Sequence, residues 1–388
     1  MKKMVFRFAM LIAALVIGIS LVAGLTFMGD KSSGPVEDFF IKVGSGISTL
    51  ENKFILNKRE KTRSKTLNWF DDYRSDANKI KFPDKFLFGA YDNQVSETFQ
   101  SIVSLEDSLE MVFPLVHIYT AWGSKPEERF PTTQAKAIID IGSLPVITWE
   151  PWLTDFDKTK MPGLPDPDKR DKEGLKAIAN GVYDFYVDKW AGEAKALNKL
   201  LFVRFGHEMN DPYRYPWGPQ NNKPGDFIAA WRHVVDRFRI AGAKNVIWVW
   251  SPHPAYTHFD EYYPGNAYVD WVGLGTLNYG TVATWSKWWT FDEIFGKYYE
   301  ELAKYKKPIM IAEFGSLAVG GDRAKWYKDA LTNLPVKYPA VKSLIFFHCS
   351  VDNTTTYQTL SWYIKDDPAV TKTVIHAARG WLPNDVPK

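Results

Sequence analysis

The chain has 388 residues, 45% of them hydrophobic, a formal net charge of +3 and one cysteine. That length holds one α/β barrel or two average domains, and a lone Cys349 excludes an internal disulfide and any thiolate metal cage. Charge is uneven: 15 Lys/Arg face 9 Asp/Glu over residues 1–85, and 33 face 36 over 86–388, so the body of the chain lacks the basic face that nucleic-acid binding needs.

Lys2, Lys3 and Arg7 precede 21 residues without a charge, 8–28. As a helix at about 1.5 Å per residue, that run spans the hydrocarbon core of a bilayer. It reads as a signal anchor with the basic end inside and the rest of the chain on the extracytoplasmic side of the cell membrane. The alternative is a cleaved signal peptide and a secreted product, although Leu21-Val22-Ala23 makes a poor cleavage site. Residues 29–85 open with Gly29-Asp30-Lys31-Ser32-Ser33-Gly34-Pro35, pass through a charge-rich stretch at 58–65, and are expected to form a linker or stalk.

From residue 86 short apolar runs alternate with longer helical patterns. The runs lie at 86–90, 112–119, 144–149, 200–205, 246–250, 271–274, 308–312 and 343–347, with amphipathic helices expected at 227–240, 291–305 and 323–331. Only the link between the fifth and sixth runs, rich in Pro and aromatic residues, lacks a clear helix. Repeated strand–helix units with apolar strands imply a parallel sheet covered by helices, and eight units predict a (β/α)8 barrel over 86–388. No glycine-rich turn follows the first strand, so no dinucleotide cofactor is expected.

Barrel enzymes collect their catalytic groups at the C-terminal ends of the strands. Those ends supply Tyr119 and Trp122 after the second strand, Trp149, Glu150 and Trp152 after the third, and His207, Glu208 and Asn210 after the fourth. Trp250 and His253 follow the fifth, Asn278 and Tyr279 the sixth, Glu313 the seventh and His348 the eighth. Glu208 and Glu313 stand out because each follows directly on a hydrophobic strand. Two facing carboxylates about 5–5.5 Å apart are what cleavage of a glycosidic bond with retention requires, one as acid/base and one as nucleophile. The competing reading of either glutamate alone is a structural salt-bridge partner at a strand end, and finding both on those two strands argues against it.

Four ordered motifs carry a resemblance. They are Arg204-Phe205-Gly206-His207-Glu208-Met209-Asn210 with Trp217-Gly218; Ala243-Lys244-Asn245-Val246-Ile247-Trp248-Val249-Trp250-Ser251-Pro252; Tyr263-Pro264-Gly265 with Tyr268-Val269-Asp270-Trp271-Val272-Gly273; and Ala312-Glu313-Phe314-Gly315. Together they resemble family 26 of the glycoside hydrolases, retaining β-glycanases that act on mannans and β-glucans. The resemblance implies Glu208 as acid/base and Glu313 as nucleophile. It implies His207 near the nucleophile or the sugar, Tyr279 against the nucleophile, and Arg204, Trp149, Trp217 and Trp250 in substrate binding.

Two departures bear on substrate. The third strand ends Trp149-Glu150-Pro151-Trp152 where many mannan-cleaving members resemble a Trp-His pair, and the eighth ends Phe347-His348 where they tend to carry a Trp. Glu150 is then a hydroxyl-binding residue or a structural partner to a nearby arginine, and a β-glucan is expected ahead of mannan. No metal is expected: position 211 is Asp where a zincin helix would carry its second His, and His253, His258 and His348, which have the chemistry to ligate a metal, read as polar surface residues of loops. Trp285, Trp288 and Trp289 cluster after the sixth strand as a candidate sugar-stacking platform.

The expected activity is an exported, endo-acting retaining glycosidase on a β-linked polysaccharide, without a cofactor. The other classes are a non-hydrolytic polysaccharide-binding protein, which would not need both glutamates, and an accessory factor partnering polysaccharide synthesis and export machinery.

Overall fold

The eight apolar runs pair edge to edge until the last meets the first. A computed structural model describes residues 63, 65–94, 99–332, 334–353 and 358–381. Its strands are β1 (Leu87–Asp92), β2 (Leu115–Ala121), β3 (Leu144–Glu150), β4 (Leu201–Phe205), β5 (Val246–Trp250), β6 (Trp271–Asn278), β7 (Ile309–Ser316) and β8 (Val341–His348). All neighbours are parallel and β1 closes on β8, giving the (β/α)8 barrel. β6 and β7 extend past the apolar runs that announced them, into residues such as Thr276, Asn278, Glu313 and Ser316 that interrupt the apolar pattern.

Alternation along each strand sorts side chains between two cores. Leu87, Leu115, Leu144, Val146, Phe202, Ile247, Val249, Trp271, Met310 and Ile345 form the inner cluster. The alternate positions, such as Val116, Ile147, Val203, Trp248, Ile311 and Phe346, join the outer cluster with the helices. The helices obey the same economy. Pro224–Ala241 begins with Pro at its first position, ends on Gly242 in the left-handed region, and buries Phe227, Ala230, Trp231, Val234, Val235 and Phe238 on one face.

The predicted stalk is corrected at its end. A 3-10 turn, Asn68–Phe70, and two short helices, Asp71–Ser75 and Ala77–Lys81, carry Phe70, Tyr73 and Ile80 into the inner cluster, joined by Leu67 just ahead of them. The indole of Trp271 donates to the Ile80 carbonyl at 3.0 Å. Arg63 is buried too, paired with Glu106 at 2.7 Å and donating to the Phe113 carbonyl. Residues from 63 onward therefore plug the N-terminal end of the barrel. Leu67, Phe70 and Tyr73 recur every three residues and Ile80 follows seven on, which is amphipathic spacing hidden among charges. The predicted anchor at 8–28 and the stalk over 29–62 lie outside the described residues. No helix among the described residues is long and apolar enough to cross a membrane.

Candidate active site

The C-terminal mouth of the barrel is built on a buried polar ladder. Thr148 and Arg204 are register partners on β3 and β4, and both face the axis. His117 Nε2 lies 2.7 Å from the Thr148 hydroxyl, and Arg204 Nη1 donates to that hydroxyl at 3.2 Å and to Glu313 Oε1 at 2.7 Å. Tyr119 donates to the same Glu313 oxygen at 2.8 Å.

Glu313 reaches this position through a break in strand alternation. Met310 and Ala312 face the inner cluster while Ile311 faces the outer one, so strict alternation would turn Glu313 outward. The register between β6 and β7 slips between Leu274 and Gly275, so that Gly275 pairs with Glu313. This bulge turns two successive residues, Ala312 and Glu313, toward the axis, and Phe314 returns to the outer cluster.

Glu208 is aimed by a different device. After β4 the backbone turns through Gly206 (φ 49°) and Glu208 itself (φ 54°), a left-handed conformation that a side chain rarely adopts. The Glu208 amide is fixed to the Ser251 carbonyl at 2.7 Å. The two carboxylates then flank one point. A Cβ on Gly275 would lie 3.4 Å from Glu208 Oε1 and 3.9 Å from Glu313 Oε2. The bare backbone of Gly275 thus leaves that point open.

Their surroundings differ. Burial pushes the Glu313 carboxyl up, but the Arg204 charge, with hydrogen bonds from Arg204 and Tyr119, outweighs it and holds the group below the usual range. It is an ionised carboxylate at neutral pH. Oε2 of Glu208 accepts no hydrogen bond among the described residues, and Arg214 Nη1 stands 3.6 Å away. Arg214 was missed in the sequence because a charged residue in a loop carries no periodic signal; here its guanidinium lies over the Tyr215 ring at 5.1 Å.

His207 points to Tyr215, with Nε2 3.0 Å from the hydroxyl, and stands 3.9 Å from Glu150 Oε1. Burial keeps its imidazole well below the usual range and so neutral. Glu150 accepts from the Trp152 indole at 3.2 Å. Burial raises its carboxyl to about 7 against that bond, which favours the anion. Trp217 lies beneath, donating to the His207 carbonyl at 2.7 Å and stacked on Tyr215 at 4.5 Å. Tyr279 packs edge-on against Trp285 and Trp362.

Three sequence expectations are corrected. Trp149 and Trp250 sit on outward positions of their strands and are fully buried. Trp149 stacks on Trp190 at 4.2 Å, and Trp250 packs on Tyr263 and Tyr305. Neither can stack on a sugar at the mouth. His348 also faces outward, bonded through Nδ1 to Asp92 at 2.8 Å and stacked on Tyr363 at 3.9 Å. The residue of β8 that turns inward is Phe347, stacked on Tyr91 at 5.1 Å. Among the described residues, Glu208, Asp211 and His253 bring potential metal-ligand atoms within 4.8 Å of one another; the Arg214 charge beside Glu208 opposes a cation there.

Residues 173–322 match the family described as Glycosyl hydrolase family 26. Endoglucanase H of Acetivibrio thermocellus is 32% identical over 257 residues, covering 64% of this chain and 26% of that protein. A mannan endo-1,4-beta-mannosidase of Bacillus subtilis is 26% identical over 173 residues, 42% of each chain. The chain thus spans about a quarter of the endoglucanase and less than half of the mannosidase. Two solved structures share the fold at 16% identity. GH26C from Muricauda sp. has a TM-score of 0.59 and covers 84% of this chain and 97% of its own. A β-mannanase from Bacteroides ovatus has a TM-score of 0.55 and covers 78% and 90%. The matched segment, which contains both Glu208 and Glu313, is similar to glycosyl hydrolase family 26.

Proposed function

We propose that this chain is an endo-acting, retaining glycoside hydrolase of β-linked polysaccharides, with Glu313 as nucleophile and Glu208 as acid/base. The observation that carries the reading is the pair of unlike carboxylates on either side of the space above Gly275. Glu313, held ionised by Arg204 and Tyr119, attacks the anomeric carbon, and the glycosidic oxygen leaves with a proton from Glu208. Glu208, then a carboxylate, takes a proton from the water that attacks C1 and frees Glu313. Fixed donors to Glu313 keep its position without reorganisation during the reaction.

A β-glucan is the preferred substrate and mannan the second. Two facts support this order. Glu150 is half-buried at the mouth beside His207, where it would bind a sugar hydroxyl and reject the epimer that leaves its carboxylate unpaired. The endoglucanase relative also aligns at higher identity and over a longer stretch than the mannosidase. His348 no longer supports it, since it faces away from the mouth. Initial rates on mixed-linkage glucan, β-1,3-glucan, β-1,4-xylan and unbranched mannan, with the anomer of the first product read by NMR, test the reading. The expected product keeps the β-configuration and comes fastest from a glucan. Inversion would remove the nucleophile role, and a tenfold faster mannan rate would remove the substrate order.

The site is displayed outside the cytoplasmic membrane by the uncharged segment 8–28. The full-length chain should then stay with membranes through a carbonate wash. A shortened soluble form would mean that the segment is cleaved.

A further inference from the structure

The tryptophans that follow β6 separate in the fold. Trp288 lies against Gly321, where an added Cβ would meet its ring, and Trp289 lies under Lys287 at 4.2 Å. Trp285 stands out, 57% exposed. The loop that presents it is tied at both ends: Asn278 Oδ1 accepts from the Gly280 and Trp289 amides, each at 3.2 Å. Its tip is closed by Ser286, whose amide bonds the Ala283 carbonyl at 3.0 Å and whose hydroxyl accepts from the Ala283 amide at 3.2 Å. An apolar ring of that size usually buries itself; here the loop is built to keep it out.

The exposed ring is continuous with the catalytic site. Trp285 packs edge-on to Tyr279 at 5.2 Å, Tyr279 to Trp362 at 5.0 Å, Trp362 to Phe347 at 5.9 Å, and Phe347 stacks on Tyr91 at 5.1 Å. Tyr91 meets Tyr119 at 4.9 Å, and Tyr119 bonds Glu313. A chain of ring contacts, passing through the buried Trp362, therefore links Trp285 to the nucleophile's partner Tyr119.

We propose that Trp285 is a stacking platform for a pyranose unit of the bound polysaccharide, beyond the unit being cleaved. The proposal rests on the functional reading above and adds to it a site at a distance from the cut. A β-linked glucosyl or mannosyl ring presents a flat face of axial C–H groups, which an indole face covers without leaving any hydroxyl unpaired. The tied loop holds that indole in place before binding, so little ordering is lost on contact. Because the platform lies outside the reacting unit, it acts on the capture of long chains and leaves the chemical step alone.

The test compares wild type with Trp285→Ala and Trp285→Phe on the preferred polysaccharide and on its oligosaccharides of increasing length. It is paired with calorimetric binding of the same polysaccharide to Glu313→Ala and to Glu313→Ala/Trp285→Ala. Trp285→Ala should raise KM for the polymer roughly ten-fold and leave kcat within about two-fold, with Trp285→Phe in between. The penalty should vanish below the chain length that reaches the platform, and the double variant should bind more weakly by the same factor. Cleavage by wild type with unchanged KM and binding in the Trp285 variants would overturn the platform alone. Binding that depends on Trp285 without cleavage of any polymer would keep the platform and overturn the functional reading; neither binding nor cleavage would overturn both.

Discussion

Glu313 accepts two hydrogen bonds, the one from Arg204 being also an ion pair, whereas Oε2 of Glu208 accepts none among the described residues. Glu313→Ala should therefore abolish turnover of substrates with good and poor leaving groups alike. Glu208→Ala should lose about 10²–10⁴-fold on polysaccharide yet still form the glycosyl-enzyme from activated aryl glycosides, with azide rescuing its second step. Steady-state rates on both substrate types check this; two variants indistinguishable on both would reject the roles. Glu150 makes a separate prediction. Burial disfavours its charge and pushes its native carboxyl up from the ordinary 4.5 to about 7. Between those pH values the native state keeps a proton that the unfolded chain has released. This residue's stabilising contribution is therefore complete below about pH 4.5 and is lost as pH rises through about 7. Glu150→Gln should flatten that part of the stability–pH curve, measured by urea unfolding; an unchanged slope would place the titration elsewhere.

Along each element, the near-continuous apolar runs made all eight strands legible, and Pro and Gly marked the two ends of the helix Pro224–Ala241. Facing was the harder property. Period-two alternation applied to β3 and β5 from Thr148 and Ser251 would have sent Trp149 and Trp250 into the outer core, where they are; treating strand-end aromatics as sugar ligands ignored it. The same counting turns His348 out and Phe347 in. It would have failed for Glu313, because the bulge in β7 adds a residue that no local pattern announces. Arg214 and the Tyr119 bond were illegible for another reason: both depend on which loop ends converge. The plug over 63–81 was readable only as a weak three-residue rhythm, and it yields a prediction. Ile80 is fully buried beside the Trp271 indole bond, so Ile80→Ala should cost about 2–5 kcal/mol in chemical denaturation. A loss under about 0.5 kcal/mol, within surface-substitution range, would return these residues to the linker.

At the scale of the whole molecule, the two ends of the barrel do different work. The C-terminal end carries the carboxylates, the chain of ring contacts and the strained turn at Glu208. The N-terminal end carries the plug, with Arg63 locked to Glu106. Trp381, just past the last helix, packs on Phe86 and Phe88 at the start of β1. The described chain thus enters and leaves at the pole farthest from the mouth. That polarity matters to anyone who would handle the protein on a support. A resin, a tag or a fused module attached ahead of Arg63 or after Trp381 grips the closed pole, and a polymer too long to enter any pore can still lie across the open one.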